Sequence, residues 1–355
     1  MSAITQVVKA LCSPRHLDAG GVAIPLDIDP ATMRGAFAAV LDGGSSDLEI
    51  GALMAAAASL EAQCAADWYA EIILGLGDAI RDRMTSLVVD ARPAPVVVLP
   101  NYGDEDAFPA MPLVALLLRR MGIHVLVHGA VETHGGLLCC GVFREFGVLP
   151  AATRGQAERQ FTENGLALLP VTLFSPGLAA MLSLRNRLGI RTPAHALANM
   201  LMPVLESSSR SLHVLHIVPW LRPCLADQSI LPGTPAMMVS TGRSCFGAVE
   251  KRACFAFRDG ERGPGWQTLF DSECVSSPTE ILAGMAVGPT PDQHDPRAWA
   301  AWTRQRLEGK AALPLLVANL FAGCLYGCGY ANDIHQAKAI VAVEPGSSTA
   351  ASPYI

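Results

Sequence analysis

Residues 96–127 constrain the fold more than any other stretch of the chain. Val96-Val97-Val98-Leu99-Pro100 is a short unbroken apolar run, the pattern of a strand covered on both faces, as in a parallel sheet. Residues 111–121 then change to helical spacing, and a second apolar run over 124–127 ends at His128-Gly129. Strand, helix and strand in that order form a βαβ unit. Sheets of this kind bind ligands outside the carboxyl ends of their strands, so function is expected around residues 100–106 and 128–136.

On the N-terminal side of this unit, residues 29–80 carry apolar side chains at three- and four-residue intervals and read as helices. Asp29-Pro30 supplies an N-cap with proline at the first helical position, and Gly43-Gly44-Ser45-Ser46-Asp47 ends that helix and caps the next. Arg92-Pro93-Ala94-Pro95 marks the change of pattern. Further strands are expected over 167–170, 213–218, 236–240 and 253–258, with helices over 176–188, 297–307 and 315–326. The fold class is therefore α/β: a small all-helical domain over residues 1–90, completed by helices from about 175–205, and a larger α/β domain over 91–345 on a central mixed, mostly parallel sheet. Residues 346–355, low in complexity, read as a flexible tail.

The charge is unevenly spread. Residues 1–90 hold 12 acidic and 5 basic side chains, whereas residues 119–258 hold 14 basic and 7 acidic ones, a net +7 inside a chain whose total is −6. Two readings stand: solvated charge around an apolar core, or a surface that faces a polyanion.

A mean hydropathy of +0.32 with 16% charged residues points to a membrane or to a large shared interface. The longest uncharged stretch, 311–331, contains Pro314, Asn319, Gly323, Gly327 and Gly329, and reads as a buried helix with a Gly-rich end rather than a span. No positive segment leads into an apolar core with a small-residue cleavage site, so a cytoplasmic protein is expected. Self-association is expected instead, as a homodimer through the N-terminal helices, because the face around Ala52 and Ala58 is rich in small apolar residues. The ten cysteines read as reduced core residues; neither Cys139-Cys140 nor Cys324 with Cys328 has zinc-site spacing, and His213 with His216 falls on opposite sides of a strand, so no metal is assigned. Gly242-Arg243-Ser244-Cys245-Phe246-Gly247 is similar to a nucleophile elbow whose last glycine comes one residue late, and it reads as a turn at a strand end.

Three landmarks together resemble the anthranilate phosphoribosyltransferase family over about residues 25–205. They are the helical segment 29–80 with its Gly-Gly-Ser-Ser-Asp turn, His128-Gly129 after a strand, and Leu184-Arg185-Asn186-Arg187-Leu188-Gly189-Ile190-Arg191-Thr192. The resemblance implies the phosphoribosyltransferase and nucleoside-phosphorylase type II architecture, and it places Arg185 where the enzymes meet the anthranilate carboxylate.

Against that family the phosphate-handling motifs have changed. Where the enzymes have a Gly-Thr-Gly-Gly-Asp loop whose bare backbone meets the pyrophosphate of phosphoribosyl pyrophosphate, this chain has Pro100-Asn101-Tyr102-Gly103-Asp104. Pro100 lacks an N–H, Tyr102 adds a large ring, and Glu105 and Asp106 make the loop acidic. Where the enzymes have Lys-His-Gly-Asn, the chain has Val127-His128-Gly129-Ala130, without the lysine and the asparagine. The acidic pair that holds magnesium in the enzymes has no match; the nearest region offers Glu250 beside Lys251 and Arg252.

These departures, and the stretches 113–118 and 165–169 with Phe174-Ser175-Pro176, are similar to a divergent branch of the family, the YbiB type, which keeps the fold, lacks the donor motifs and binds DNA as a dimer. The resemblance implies a nucleic-acid-binding homodimer with no cofactor requirement, its candidate phosphate contacts being Arg119, Arg120, Arg185, Arg187, Arg191, Arg210, Arg243, Lys251 and Arg252. The alternative is a transferase for a phosphorylated donor, with Asp104, Glu105 and Asp106 holding Mg²⁺ beside the diverged cleft residues Asn101, Tyr102, Gly103, His128, Gly129 and Arg185. A third reading is a pseudoenzyme whose cleft takes a small ligand.

Overall fold

A computed structural model describes residues 1–13, 27–62, 66–89, 93–102, 110–131, 139–206, 211–217, 235–240, 254–258, 266–270, 291 and 295–343. Its N-terminal part is helical: α1 (Ala3–Leu11), α2 (Pro30–Leu41), α3 (Asp47–Ala62) and α4 (Ala66–Arg81). Local chemistry sets their ends. The Asp29 carboxylate accepts the Thr32 N–H (2.9 Å), and Pro30 pre-sets the first turn of α2. Gly43 turns left-handed (φ 72°) after α2. Ser46 and Glu49 then form a reciprocal capping box, in which the Ser46 hydroxyl accepts the Glu49 N–H (3.3 Å) and the Glu49 carboxylate accepts the Ser46 N–H (3.0 Å).

Later segments pack on this helical unit. After α5 (Ala110–Arg120), α6 (Cys139–Glu145), α7 (Arg154–Asn164) and α8 (Val171–Phe174), the helices α9 (Pro176–Ser183), α10 (Arg185–Leu188) and α11 (Pro193–Ala198) return to it, and Leu178, Met181 and Leu197 share one core with Phe37, Tyr69 and Ile72. Small residues let the backbones close: a β-carbon on Gly177 would lie 2.8 Å from the Leu41 carbonyl oxygen. A two-stranded parallel sheet, β1 (Leu87–Val89) with β5 (Val204–Glu206), ties together the two places where the chain leaves this unit.

The main sheet has seven strands in the order β4 (Leu166–Pro170), β3 (His124–Gly129), β2 (Val96–Asn101), β6 (Ser211–His216), β7 (Ala236–Ser240), β8 (Cys254–Arg258), β9 (Gln267–Phe270). The first five are parallel and the last two antiparallel. Alternate side chains of β2, β3, β4, β6 and β7 enter different cores, as the two-residue period requires. Val96 and Val98 join the core shared with the helical unit, while Val97 and Leu99 face α5 (Ala110–Arg120) and the helices Pro296–Leu307 and Leu315–Gly327. The apolar stretch 311–331 thus lies against the sheet: β-carbons on Gly323 and Gly327 would press on Met237 Sδ (2.5 Å) and Leu212 Cδ1 (2.7 Å). Among the described residues, no helix is long and apolar enough to cross a membrane.

Three details differ from the sequence expectation. Both early strands run further, taking Asn101, His128 and Gly129 into the ladder. The stretch 176–188 is two helices: around Leu184 the bonds tighten to three-residue spacing, and the Ser183 hydroxyl donates to the Ala180 carbonyl (2.7 Å), drawing on an acceptor of its own helix. The paired strands β1 and β5, and β9 at the sheet edge, lie outside the predicted set.

Candidate ligand cleft at the carboxyl ends of the parallel strands

The site begins where β2, β3 and β4 end side by side, with Asn101 opposite Gly129 and Gly129 opposite Pro170. The contact between β2 and β3 is close enough to dictate residue type. A β-carbon on residue 129 would lie 1.8 Å from the Asn101 carbonyl oxygen, which also accepts the Ala130 N–H (3.1 Å). Only glycine fits there.

Tyr102, the next residue after β2, turns inward. It is 4% exposed, and its hydroxyl hydrogen-bonds His128 Nδ1 at 2.9 Å. Its ring meets the His128 ring edge-on (centroids 5.5 Å apart), and His128 in turn meets Phe174 (6.0 Å). Burial, with His213 and His216 nearby, pushes the His128 imidazole down to about 3, and burial raises the Tyr102 hydroxyl well above its usual range. Both groups are therefore neutral at physiological pH. A proton-transfer couple needs a group that titrates near the working pH, and this pair does not supply one. His128 Nε2 has no hydrogen-bond partner among the described residues.

Over this floor lies a cavity of about 330 Å³. Pro170, Val171, Ala179 and Leu182 give it apolar wall; Tyr102, Thr172, Ser183, Arg185, Asn186 and His195 give it polar groups, and among the described residues no carboxylate lines it. The single turn α10 sorts its two arginines. Residues two apart on a helix project about 200° apart, so Arg185 is turned into the cavity wall (5% exposed) while Arg187 points out and pairs with Asp47 (2.7 Å). Gly189, left-handed at φ 68°, closes the turn by donating to the Arg185 carbonyl (2.9 Å). His195 is oriented by the start of α11, where the Thr192 N–H donates to its Nδ1 (3.3 Å). In the neutral ring that bond places the proton on Nε2.

Of the sequence-predicted site residues, Asn101, Tyr102, His128, Gly129 and Arg185 converge here, whereas Gly103, Asp104, Glu105 and Asp106 lie outside the described residues. The candidate phosphate contacts do not form one group. α5 runs from the carboxyl end of β2 to the amino end of β3, so Arg119 and Arg120 sit at the opposite pole, where Arg120 donates to the Leu307 carbonyl (2.6 Å). Arg191 acts electrostatically on Tyr69, whose hydroxyl donates to buried Glu61 (3.0 Å). Arg210, Arg243, Lys251 and Arg252 lie outside the described residues, as does the elbow-like stretch 242–247. Ser240 and Cys254, which bracket the segment carrying Arg243, Lys251 and Arg252, pair at the pole of the cleft. Among the described residues, no group of three His, Cys, Asp or Glu side chains is disposed to hold a metal ion.

Thr172, Ser183, Asn186 and His195 were not singled out from the sequence. His195 had a readable signal, since Thr192-Pro193 is a helix start that puts residue 195 at the reciprocal position of a capping box. The other three are short polar residues that become site residues only through tertiary packing.

Solved enzymes share this arrangement of helical unit and sheet. The structure superposes on anthranilate phosphoribosyltransferase from Thermus thermophilus with a TM-score of 0.64 over 98% of this chain and 95% of that one, at 18% identity. The chain has the anthranilate phosphoribosyltransferase fold. The Saccharomyces cerevisiae enzyme in complex with PRPP and Mg matches similarly, with a TM-score of 0.62 over 97% and 94% of the two chains at 14% identity. In sequence, the chain is 27% identical to the Escherichia coli (strain K12) protein YbiB over 316 residues, 89% of this chain and 93% of YbiB. It is also 27% identical to the anthranilate phosphoribosyltransferase of Anaeromyxobacter sp. (strain Fw109-5), over 54% of each chain. No protein-family model matches.

Proposed function

We propose that the chain is a catalytically diverged protein on the anthranilate phosphoribosyltransferase fold that works as a nucleic-acid-binding homodimer. The observation that carries this reading is Tyr102. In the transferase pattern, glycine at that point leaves the backbone bare for a pyrophosphate; here a buried ring is pinned to His128 at 2.9 Å. Among the described residues, the cavity beside it offers one cation, Arg185, to a donor that carries a phosphate and a pyrophosphate.

The net +7 over residues 119–258 supports a polyanionic partner. Arg187 is held by Asp47, Arg191 acts on Tyr69 of the helical unit, and Arg119 and Arg120 lie at the far pole; the proposed contacts are Arg185, in the cavity wall, with Arg243, Lys251 and Arg252. The helical head is acidic. Its α3 shows Leu48 at 82% exposure beside exposed Ala52 and Ala55, an apolar strip suited to a second copy.

Size-exclusion chromatography with light scattering tests both halves. At low salt with a single-stranded oligonucleotide a few tens of nucleotides long, the expected mass is two chains plus one strand. A protein of one chain's mass, or an oligonucleotide that elutes separately, contradicts the reading. A second reading, a small-anion site or a transferase with Mg²⁺, is favoured by one observation only: Arg185 sits buried in the wall of the cavity.

A further inference from the structure

The cavity has more chemistry than electrostatic binding of a strand needs. Its volume of about 330 Å³ is at the small end of the range for organic ligands, about 300–1,000 Å³. Two residues with aromatic rings, Tyr102 and His195, are among those that line it. The side chains of Thr172, Ser183 and Asn186 bring hydroxyl and amide groups to the rim, all three residues being exposed, and Arg185 contributes the positive charge of the described lining. Hydroxyls and amides both donate and accept, so they can satisfy the edge of a planar heterocycle without demanding one particular base. A described lining without a carboxylate disfavours a cationic ligand.

A ligand that fits is flat, has a hydrogen-bonding edge, and carries a single anionic group beside it. We infer that the cavity takes one unstacked base of a single-stranded nucleic acid, with the adjoining phosphate on Arg185. This rests on the nucleic-acid reading above and adds a strand preference to it. A duplex keeps its bases stacked and paired and presents only backbone, so it cannot fill the cavity unless it opens. A single strand has bases to spare, and stacking on aromatic groups tolerates any sequence. The shared chemistry of base plus phosphate also belongs to a free mononucleotide, which therefore enters the test.

Fluorescence anisotropy at low salt compares three labelled probes on the full chain, a single strand, the same strand built from abasic units and the corresponding duplex, with adenosine and uridine monophosphates as two competitors. The base-bearing strand is expected to bind about tenfold more tightly than the abasic backbone, the scale of one base stacked on aromatic groups. Ser183→Trp, a rim substitution that fills the mouth, is expected to bring the base-bearing strand down to the level of the abasic strand measured on the same variant. Circular dichroism of that variant checks that it is folded, and the comparison of strands in the unaltered protein does not depend on it. Equal binding of base-bearing and abasic strands overturns this inference while leaving the nucleic-acid reading intact. A monophosphate that binds as tightly as the strand assigns the cavity to a free nucleotide and also overturns it. Failure of every strand and duplex to bind removes the nucleic-acid reading itself.

Discussion

At Asn101 and Gly129 two backbones pass so closely that a β-carbon would lie 1.8 Å from a carbonyl oxygen, which gives the His128-Gly129 pair a structural cause independent of any reaction. His128 has its own cause, as the buried partner of Tyr102. Its pKa of about 3 in the folded chain lies below the ordinary value near 6.5. The unfolded chain therefore binds this proton while the folded chain refuses it between those two values. Stability from this group is complete above about pH 6.5 and falls as the pH drops toward 3, by at most about 1.4 kcal/mol per pH unit. His128→Asn keeps a polar atom near the Nδ1 position but cannot titrate. Urea midpoints measured from pH 7 to 4 should fall less steeply for the variant than for the parent, and parallel slopes would show that His128 does not carry the effect. Residue-scale reading from sequence located Tyr102 and Arg185 because each departs from or matches a motif, whereas Thr172, Ser183 and Asn186 stand in no motif.

Among the elements, the return of α9 to the helical unit positions Arg185. Gly177 faces the Leu41 backbone oxygen at 2.8 Å for a hypothetical β-carbon, with Leu41 side-chain atoms at 3.1 and 3.2 Å. Two effects compete in Gly177→Ala. Helix propensity favours alanine by about 1 kcal/mol, while crowding a packed backbone costs about 1–3 kcal/mol. Because the contact is to a carbonyl and not to a flexible side-chain end, crowding wins, and chemical denaturation should show a net loss of about 1 kcal/mol. A more stable variant would mean that α9 can shift away from α2. The same scale shows what the sequence made legible. The runs 96–100 and 124–127 were readable as strands because both faces are covered, which removes polar residues from them. β1 and β5 are three residues each, too short for a two-residue alternation to register. The helix Arg154–Asn164 was silent for another reason: only Ala157 and Phe161 of its eleven residues are buried, so almost no apolar period exists to detect.

For the whole molecule, the uneven charge takes on a direction. The acidic residues 1–90 build most of the helical unit, and its acids hold the arginines that reach it: Asp47 binds Arg187, and Asp42 binds Arg83 through two 2.7 Å bonds. Of the described arginines, Arg119 and Arg120 lie at one pole of the sheet, and Arg185 lies with the cavity at the other. A net charge computed along the sequence could not make that division, because it depends on which end of each strand a loop leaves. In the reading proposed above, the buried Tyr102 ring takes the place of a bare backbone in the phosphate approach of the transferase pattern, and the chain binds a strand rather than transferring a group. Isothermal titration calorimetry tests this most directly, with phosphoribosyl pyrophosphate plus Mg²⁺ in one run and a single-stranded oligonucleotide in the other. The expected result is heat from the strand, weakening steeply as salt is raised, and none from the millimolar donor. Saturable heat from the donor, with a silent oligonucleotide, would contradict the account.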